Sequence, residues 1–274
     1  MNLNFNIFGK RWLRPGKLFK TAGLLLLVPV LATSLLAAWA YWDLPDIAAL
    51  KNPSTTLKIE VRDWQGEMHP FLLGPQNPQW TPLATIPDEL KWAVIVAEDA
   101  NFYEHSGIDV AAIKEAIRYD LKRKRLAYGA STITQQLAKN LYLSRDKSLL
   151  RKLRELVIAQ RLEHELTKGR ILELYLNAVE LGPLVYGVGA GSHFHFDLPV
   201  SILTPAEGAF LAAILPGPRV AFNPALKLDK VRKRAARLIT LLGLRHILTE
   251  AEVADSLDEL EYIGGERMSE PAVQ

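Results

Sequence analysis

Cysteine is absent from the 274 residues. That excludes a disulfide scaffold, a Cys-ligated zinc finger, an iron–sulfur protein and a thiol nucleophile. It leaves the compartment open, because a chain without Cys folds in oxidising and reducing surroundings alike. Internal repeats and low-complexity tracts are missing too. Acidic side chains are missing from the first twenty positions, which carry Lys10, Arg11, Arg14, Lys17 and Lys20. Charge of either sign is missing from the next 22, Thr21 to Trp42. Against these gaps stand a 49% hydrophobic fraction and six Trp, which exclude a fully disordered chain. The net charge is +3 and the pI near 9.0, values that suit a nucleic-acid binder. The placement of the charge argues otherwise. With the first twenty residues set aside the chain sums to −2, and residues 114–154 hold twelve bases against three acids.

The uncharged run predicts a transmembrane signal anchor over residues 21–42. As a helix it would be roughly 33 Å long, against a bilayer core of about 30 Å. Trp39, Tyr41 and Trp42 close it, where amphipathic rings favour the headgroup level, and Pro29 is tolerable within lipid. The basic tail, residues 1–20, would stay cytoplasmic and the remainder would lie outside. A cleaved signal peptide is the plainer alternative, but its apolar core usually runs about 7–15 residues.

Beyond the anchor, residues 43–80 read as a linker with a short β-hairpin. Leu57, Ile59 and Val61 alternate with Lys58, Glu60 and Arg62, and Gln65-Gly66 suggests the turn. From Pro87, placed at a first helical position, the pattern becomes helical. Helices are predicted over 109–121, 131–143 and 147–166, from Thr167 and Thr204, and over 229–243 and 249–260. The Thr204-Pro205-Glu207 set predicts a capping box. The fold class is mainly α, with a principal domain over 81–245 and an acidic tail over 246–274.

Four stretches carry candidate chemistry. Glu98 and Asp99 end an apolar helix. A carboxylate emerging from such a face can have a raised pKa and act as a general acid or base, and a solvated helix end is the ordinary alternative. His105 follows, a residue type more often structural than catalytic. Next, Gly129-Ala130-Ser131-Thr132-Ile133-Thr134-Gln135-Gln136 precedes Lys139. Gly and small hydroxyl residues before a helix leave backbone N–H groups for an anion, or simply cap it. The Gly-Lys-Ser/Thr ending of a Walker-type loop is absent. Arg151 and Glu155 are i,i+4 neighbours that can face one site or form a surface pair. Finally, Ile171-Leu172-Glu173-Leu174-Tyr175-Leu176-Asn177 mixes core leucines with polar residues.

Together, in this order, the four motifs resemble those of the family 51 peptidoglycan glycosyltransferases, especially their monofunctional biosynthetic members. The resemblance covers roughly residues 80–225. It implies a lysozyme-like α fold with a membrane-associated lobe. It also implies polymerisation of lipid II into glycan strands, with inversion and release of undecaprenyl pyrophosphate. By matching position Glu98 would be the general base and Glu155 the second catalytic carboxylate. Lys139 and Arg151 would neutralise the pyrophosphate, with Lys152, Ser131, Thr132, Gln136 and His105 on the same wall. Asp99 matches a position associated with a divalent cation, Mg2+ or Mn2+. The implied partners are lipid II, the growing glycan, membrane lipids and other cell-wall or division proteins, without nucleic acid. The implied location is the bacterial inner membrane, single-pass, with the catalytic domain periplasmic. A lytic enzyme cutting the same glycan is the competing reading. This chain departs from the pattern at Glu115, where relatives often carry Arg, with Lys114 or Arg118 as substitutes. It also departs at His193-x-His195, read as packing or surface rather than metal ligands. No room for an appended transpeptidase domain is expected after Pro224.

Overall fold

The computed structural model describes residues 15–42, 44–62, 67–123, 131–143 and 148–264. Gln65-Gly66, most of the predicted basic tail and the last ten residues lie outside them. Contacts divide the chain into two units, residues 1–44 and 45–274. The first contains helix α1 (Pro15–Tyr41), with Pro29 inside it. Thr33 Oγ1 donates to the Pro29 and Val30 carbonyls, each at 2.9 Å. The predicted anchor segment is thus almost wholly helical. Among the described residues no helix is long and apolar enough to cross a membrane.

The second unit begins with a stretch that its Pro, Asn and Ser content marks as a linker, yet it is packed. Ile47 and Leu50 are fully buried. Arg170 Nε donates to the Leu50 carbonyl at 2.9 Å, and Arg161 to that of Pro45 at 3.3 Å. Two apolar side chains in a polar segment escape a reading by composition. Strands β1 (Leu57–Arg62) and β2 (Met68–Leu73) form the expected antiparallel hairpin, Ile59 opposite Phe71 and Leu57 opposite Leu73.

The helices follow: α2 (Asp88–Glu98), α3 (Val110–Arg123), α4 (Ile133–Tyr142), α5 (Leu149–Glu165) and α6 (Lys168–Ala178). Pro87 is the N-cap of α2 rather than its first residue. Thr132, Ser148 and Thr167 cap α4, α5 and α6 by accepting a backbone N–H, each such cap stabilising by about 1 kcal/mol. A small hairpin, β3 (Glu180–Gly182) with β4 (Val185–Tyr186), and helix α7 (Val188–Phe196) come next. Neither was expected. The strands have three and two residues, too few for alternation, and α7 carries two Gly and no periodic apolar face.

Helix α8 (Pro205–Ile214) has the predicted capping box. Ala206 and Ala209 through Ile214 are fully buried, as expected of a helix apolar all round. It packs against α2, α9 (Pro224–Leu244) and α10 (Glu250–Leu260). Gly208 permits the approach of α2, since a Cβ there would lie 3.2 Å from Leu90 Cβ. Helix α10, assigned by sequence to a tail, is docked. Leu260 is buried, and Thr204 Oγ1 donates to Glu259 at 2.7 Å.

Candidate active site

Leu90, Val94 and Glu98 are spaced by four residues, so one face of α2 serves the core and ends in a carboxylate. The Glu98 side chain is 12% exposed. Its Oε2 accepts from Gln136 Nε2 at 2.9 Å, and its Oε1 lies 3.5 Å from an Arg234 guanidinium nitrogen. Burial pushes the Glu98 carboxyl above the ordinary glutamate value. Gln136, then Arg234 and Lys139, oppose that shift, while Asp99 adds to it. A carboxylate at a helix C-terminus also faces the negative end of the dipole. The group is therefore a better proton acceptor than a surface glutamate.

Asp99 turns the other way. Its Oδ1 is hydrogen-bonded to His105 Nε2 at 2.8 Å, and its Oδ2 accepts the Ile133 N–H at 3.0 Å. It thereby ties the end of α2 to the first residue of α4, where a negative charge meets the favourable dipole end. Burial raises its pKa, against the His105 and Ile133 hydrogen bonds. Asp99, His105 and Asp109 bring three possible ligand atoms within 4.8 Å of one another. All four carboxylate oxygens of the trio, however, are already engaged. Asp109 accepts from Ala112 N–H at 2.8 Å and from Asn101 at 2.9 Å. Mg2+ takes about six oxygen ligands in near-octahedral geometry. It usually keeps several waters and needs only one or two carboxylates, which are commonly hydrogen-bonded as well, so Asp99 and Asp109 would hold such an ion with water completing the shell. The trio also acts as a clasp between α2, the following turn and α4.

Helix α4 carries adjacent side chains to two different groups. Gln136 reaches Glu98, while Gln135 Oε1 accepts from Lys152 Nζ at 3.1 Å. Lys152 also donates to Ser131 Oγ at 3.0 Å and to Glu155 Oε1. Arg151 Nη1 donates to Glu155 Oε2 at 2.8 Å. Glu155, 3% exposed, is thus the buried anion that aligns two cations. Thr132 and Gln135 both donate to the Gly107 carbonyl, at 2.8 and 3.1 Å, which fixes the start of α4. Lys139, half-buried, interacts electrostatically with Glu98. Buried charges are held by hydrogen-bonded partners, and Ser131, Gln135, Lys152 and Glu155 meet that requirement as one network, which Arg151 joins through Nη1 while its buried Nε has no partner among the described residues.

The transglycosylase family model matches residues 66–242, well over half of the chain and every site residue named above. The chain belongs to this family. It is 41% identical over 199 residues to a biosynthetic peptidoglycan transglycosylase of Nitrosomonas eutropha, covering 70% of this chain and 79% of that protein. It is 47% identical over 141 residues to the protein of that name from Thiobacillus denitrificans, covering 52% and 61%. It is 39% identical over 218 residues to penicillin-binding protein 4 of Bacillus subtilis, covering 79% of this chain but 34% of the relative.

Several residues of this transglycosylase site carry no local sequence signal. Arg234, on α9, donates to the Ala97 carbonyl at 3.3 Å beside its contact with Glu98. Its only trace in the sequence is a basic run from Lys227 to Arg237, which reads equally as a solvated face. Tyr175 and Gln135 lay inside recognised motifs without an assigned part. Behind the clasp, Lys168 donates to the His105 carbonyl at 2.6 Å and to Glu163 at 2.8 Å, and Thr134 donates to Glu163. Glu115, Lys114 and Arg118 are all exposed on α3. His195 is buried with Nε2 at 2.7 Å from the Leu181 carbonyl, whereas His193 is exposed. One packs and the other faces solvent.

Proposed function

We propose that this transglycosylase polymerises lipid II into peptidoglycan glycan strands, with Glu98 as general base. The observation that carries the reading is the buried Glu98 carboxylate, bonded to Gln136 of the helix whose Gln135 meets the lysine–arginine network. Glu98 takes the proton from the acceptor sugar hydroxyl as its oxygen attacks the anomeric carbon of the donor. The carbon–oxygen bond to the diphosphate breaks, the electron pair leaves with undecaprenyl pyrophosphate, and the configuration inverts. Charge grows on the leaving group, so Lys139, Arg151 and Lys152 lower the barrier by being in place beforehand. Glu155 holds two of them. A lytic enzyme would have no diphosphate to stabilise, and this basic wall argues against that reading.

A divalent cation, Mg2+ or Mn2+, belongs to this proposal, with Asp99 as its protein ligand beside the substrate diphosphate. Chelation should slow polymerisation and either ion should restore it. The basic tail and the uncharged run of 22 residues support a single-pass inner-membrane anchor with the domain in the periplasm. There it meets membrane lipids, the growing glycan and other cell-wall or division proteins.

The test is incubation of the purified full chain with lipid II and, separately, with finished glycan. Polymer from lipid II is expected. Cleavage of finished glycan without polymerisation would refute the reading, and full polymerisation by Glu98→Gln would refute the base assignment.

A further inference from the structure

We propose that Tyr175 is a positioning residue for the general base, acting through the Gln136 side chain. The proposal rests on Glu98 being that base. Tyr175 is 1% exposed and comes from α6. Its hydroxyl meets Gln136 Oε1 at 3.2 Å. An amide oxygen only accepts, so the tyrosine donates. The opposite end of the same amide donates to Glu98 Oε2 at 2.9 Å. Three helices are thereby joined in one line: α6 through Tyr175, α4 through Gln136, α2 through Glu98.

The line has a mechanical and an electronic consequence. Gln136 is half-buried beside the site, and its long side chain would otherwise turn among several rotamers. A second hydrogen bond from a rigid, buried ring holds the amide where its N–H groups face Glu98. Donation into the amide oxygen also polarises the amide, which strengthens its donation to the carboxylate. Glu98 Oε2 is then held, and Oε1, whose Arg234 contact is the long one at 3.5 Å, is the atom left to receive the acceptor proton. The other charged groups facing Glu98 are Lys139 on α4 and its neighbour Asp99. Both act on Glu98 by charge, whereas the Gln136 amide fixes Oε2 by a directed hydrogen bond. Core packing alone would not require the hydroxyl, since a phenylalanine fills the same space.

The experiment is steady-state polymerisation of lipid II by the full chain as wild type, Tyr175→Phe, Gln136→Leu and the double variant, with thermal melts of each. Tyr175→Phe should lower kcat about tenfold, the upper end of the net worth of a hydrogen bond between neutral groups, with KM within about twofold. Gln136→Leu should lower kcat further. The double variant should match Gln136→Leu, because the hydroxyl then has nothing to act through. A Tyr175→Phe enzyme with wild-type kcat, or effects that multiply in the double variant, would overturn the proposal. Should Tyr175→Phe not fold, Gln136→Met keeps the volume and must still lose kcat at constant KM; wild-type kcat there overturns the proposal equally. A wild-type chain that makes no polymer overturns the base reading and this one with it. An active wild type with unaffected variants overturns this one alone.

Discussion

Glu155→Gln isolates what the buried anion does, because it keeps shape and volume and removes only charge and one acceptor. In the wild type Oε1 accepts from Lys152 and Oε2 from Arg151, in a side chain 4% exposed. A glutamine supplies one acceptor. Its amide nitrogen must then point at one of the two cations, donor against donor. Stripping one partner from a buried ion pair costs about 3–5 kcal/mol. Here the full figure is too high, because the Arg151 and Lys152 side chains are 19% and 38% exposed. Both can recover water by turning outward, and exposed partners are worth little. A loss of about 2–3 kcal/mol is expected. For a domain of this size that corresponds to a fall in Tm of about 4–12 °C. Thermal and urea melts of wild type, Glu155→Gln and Glu155→Leu measure it at neutral pH. Polymerisation should fall as well, since Arg151 and Lys152 lose their fixed positions. A Glu155→Gln protein within about 0.5 kcal/mol of wild type would refute the argument that Glu155 aligns these cations.

Burial raises the Glu98 pKa, so the acid limb of kcat should lie above the ordinary glutamate value; a limb at about pH 4 would contradict this. The same shift has a stability consequence. A carboxyl whose folded pKa exceeds its unfolded value costs nothing below the unfolded value, and its cost grows until pH passes the folded one. Glu98→Gln should therefore abolish polymerisation while leaving the Tm at neutral pH equal or higher, and a clear fall in Tm would show that the ionised group stabilises the fold. Gly187 has φ +88°, and a Cβ there would lie 2.9 Å from the Asn177 carbonyl oxygen. Gly187→Ala should destabilise by about 2 kcal/mol in a urea melt, and a neutral result would mean that the turn relaxes. Thr132→Ala removes both the α4 cap and the bond to Gly107, and should cost about 1–2 kcal/mol.

Most of the helical framework was legible in the residues. Helix α2 showed itself through Leu90, Ala93, Val94 and Ala97, α8 through its capping box, and α5 through its leucine spacing, because each bears its own periodicity or cap. Packing of the presumed linker and of α10 was not legible, since Ile47, Leu50 and Leu260 find their partners elsewhere in the chain. The same division runs through the site. By themselves the residues determined that Glu98 ends an apolar helix, that Arg151 and Glu155 share a helix face, and that Ser131 and Thr132 precede a helix. These are relations within a few positions, and helical geometry sets them. Only the tertiary structure decided that Asp99 clasps α4 instead of standing open, that Lys152 gathers Ser131, Gln135 and Glu155, and that Tyr175 and Arg234 reach the base. Gln136 and Tyr175 are 39 residues apart, and Glu98 and Arg234 are 136 apart. No local pattern spans such separations. The packing of α2, α4, α6 and α9 brings these side chains within hydrogen-bond reach, and burial among those helices is what lifts the Glu98 pKa.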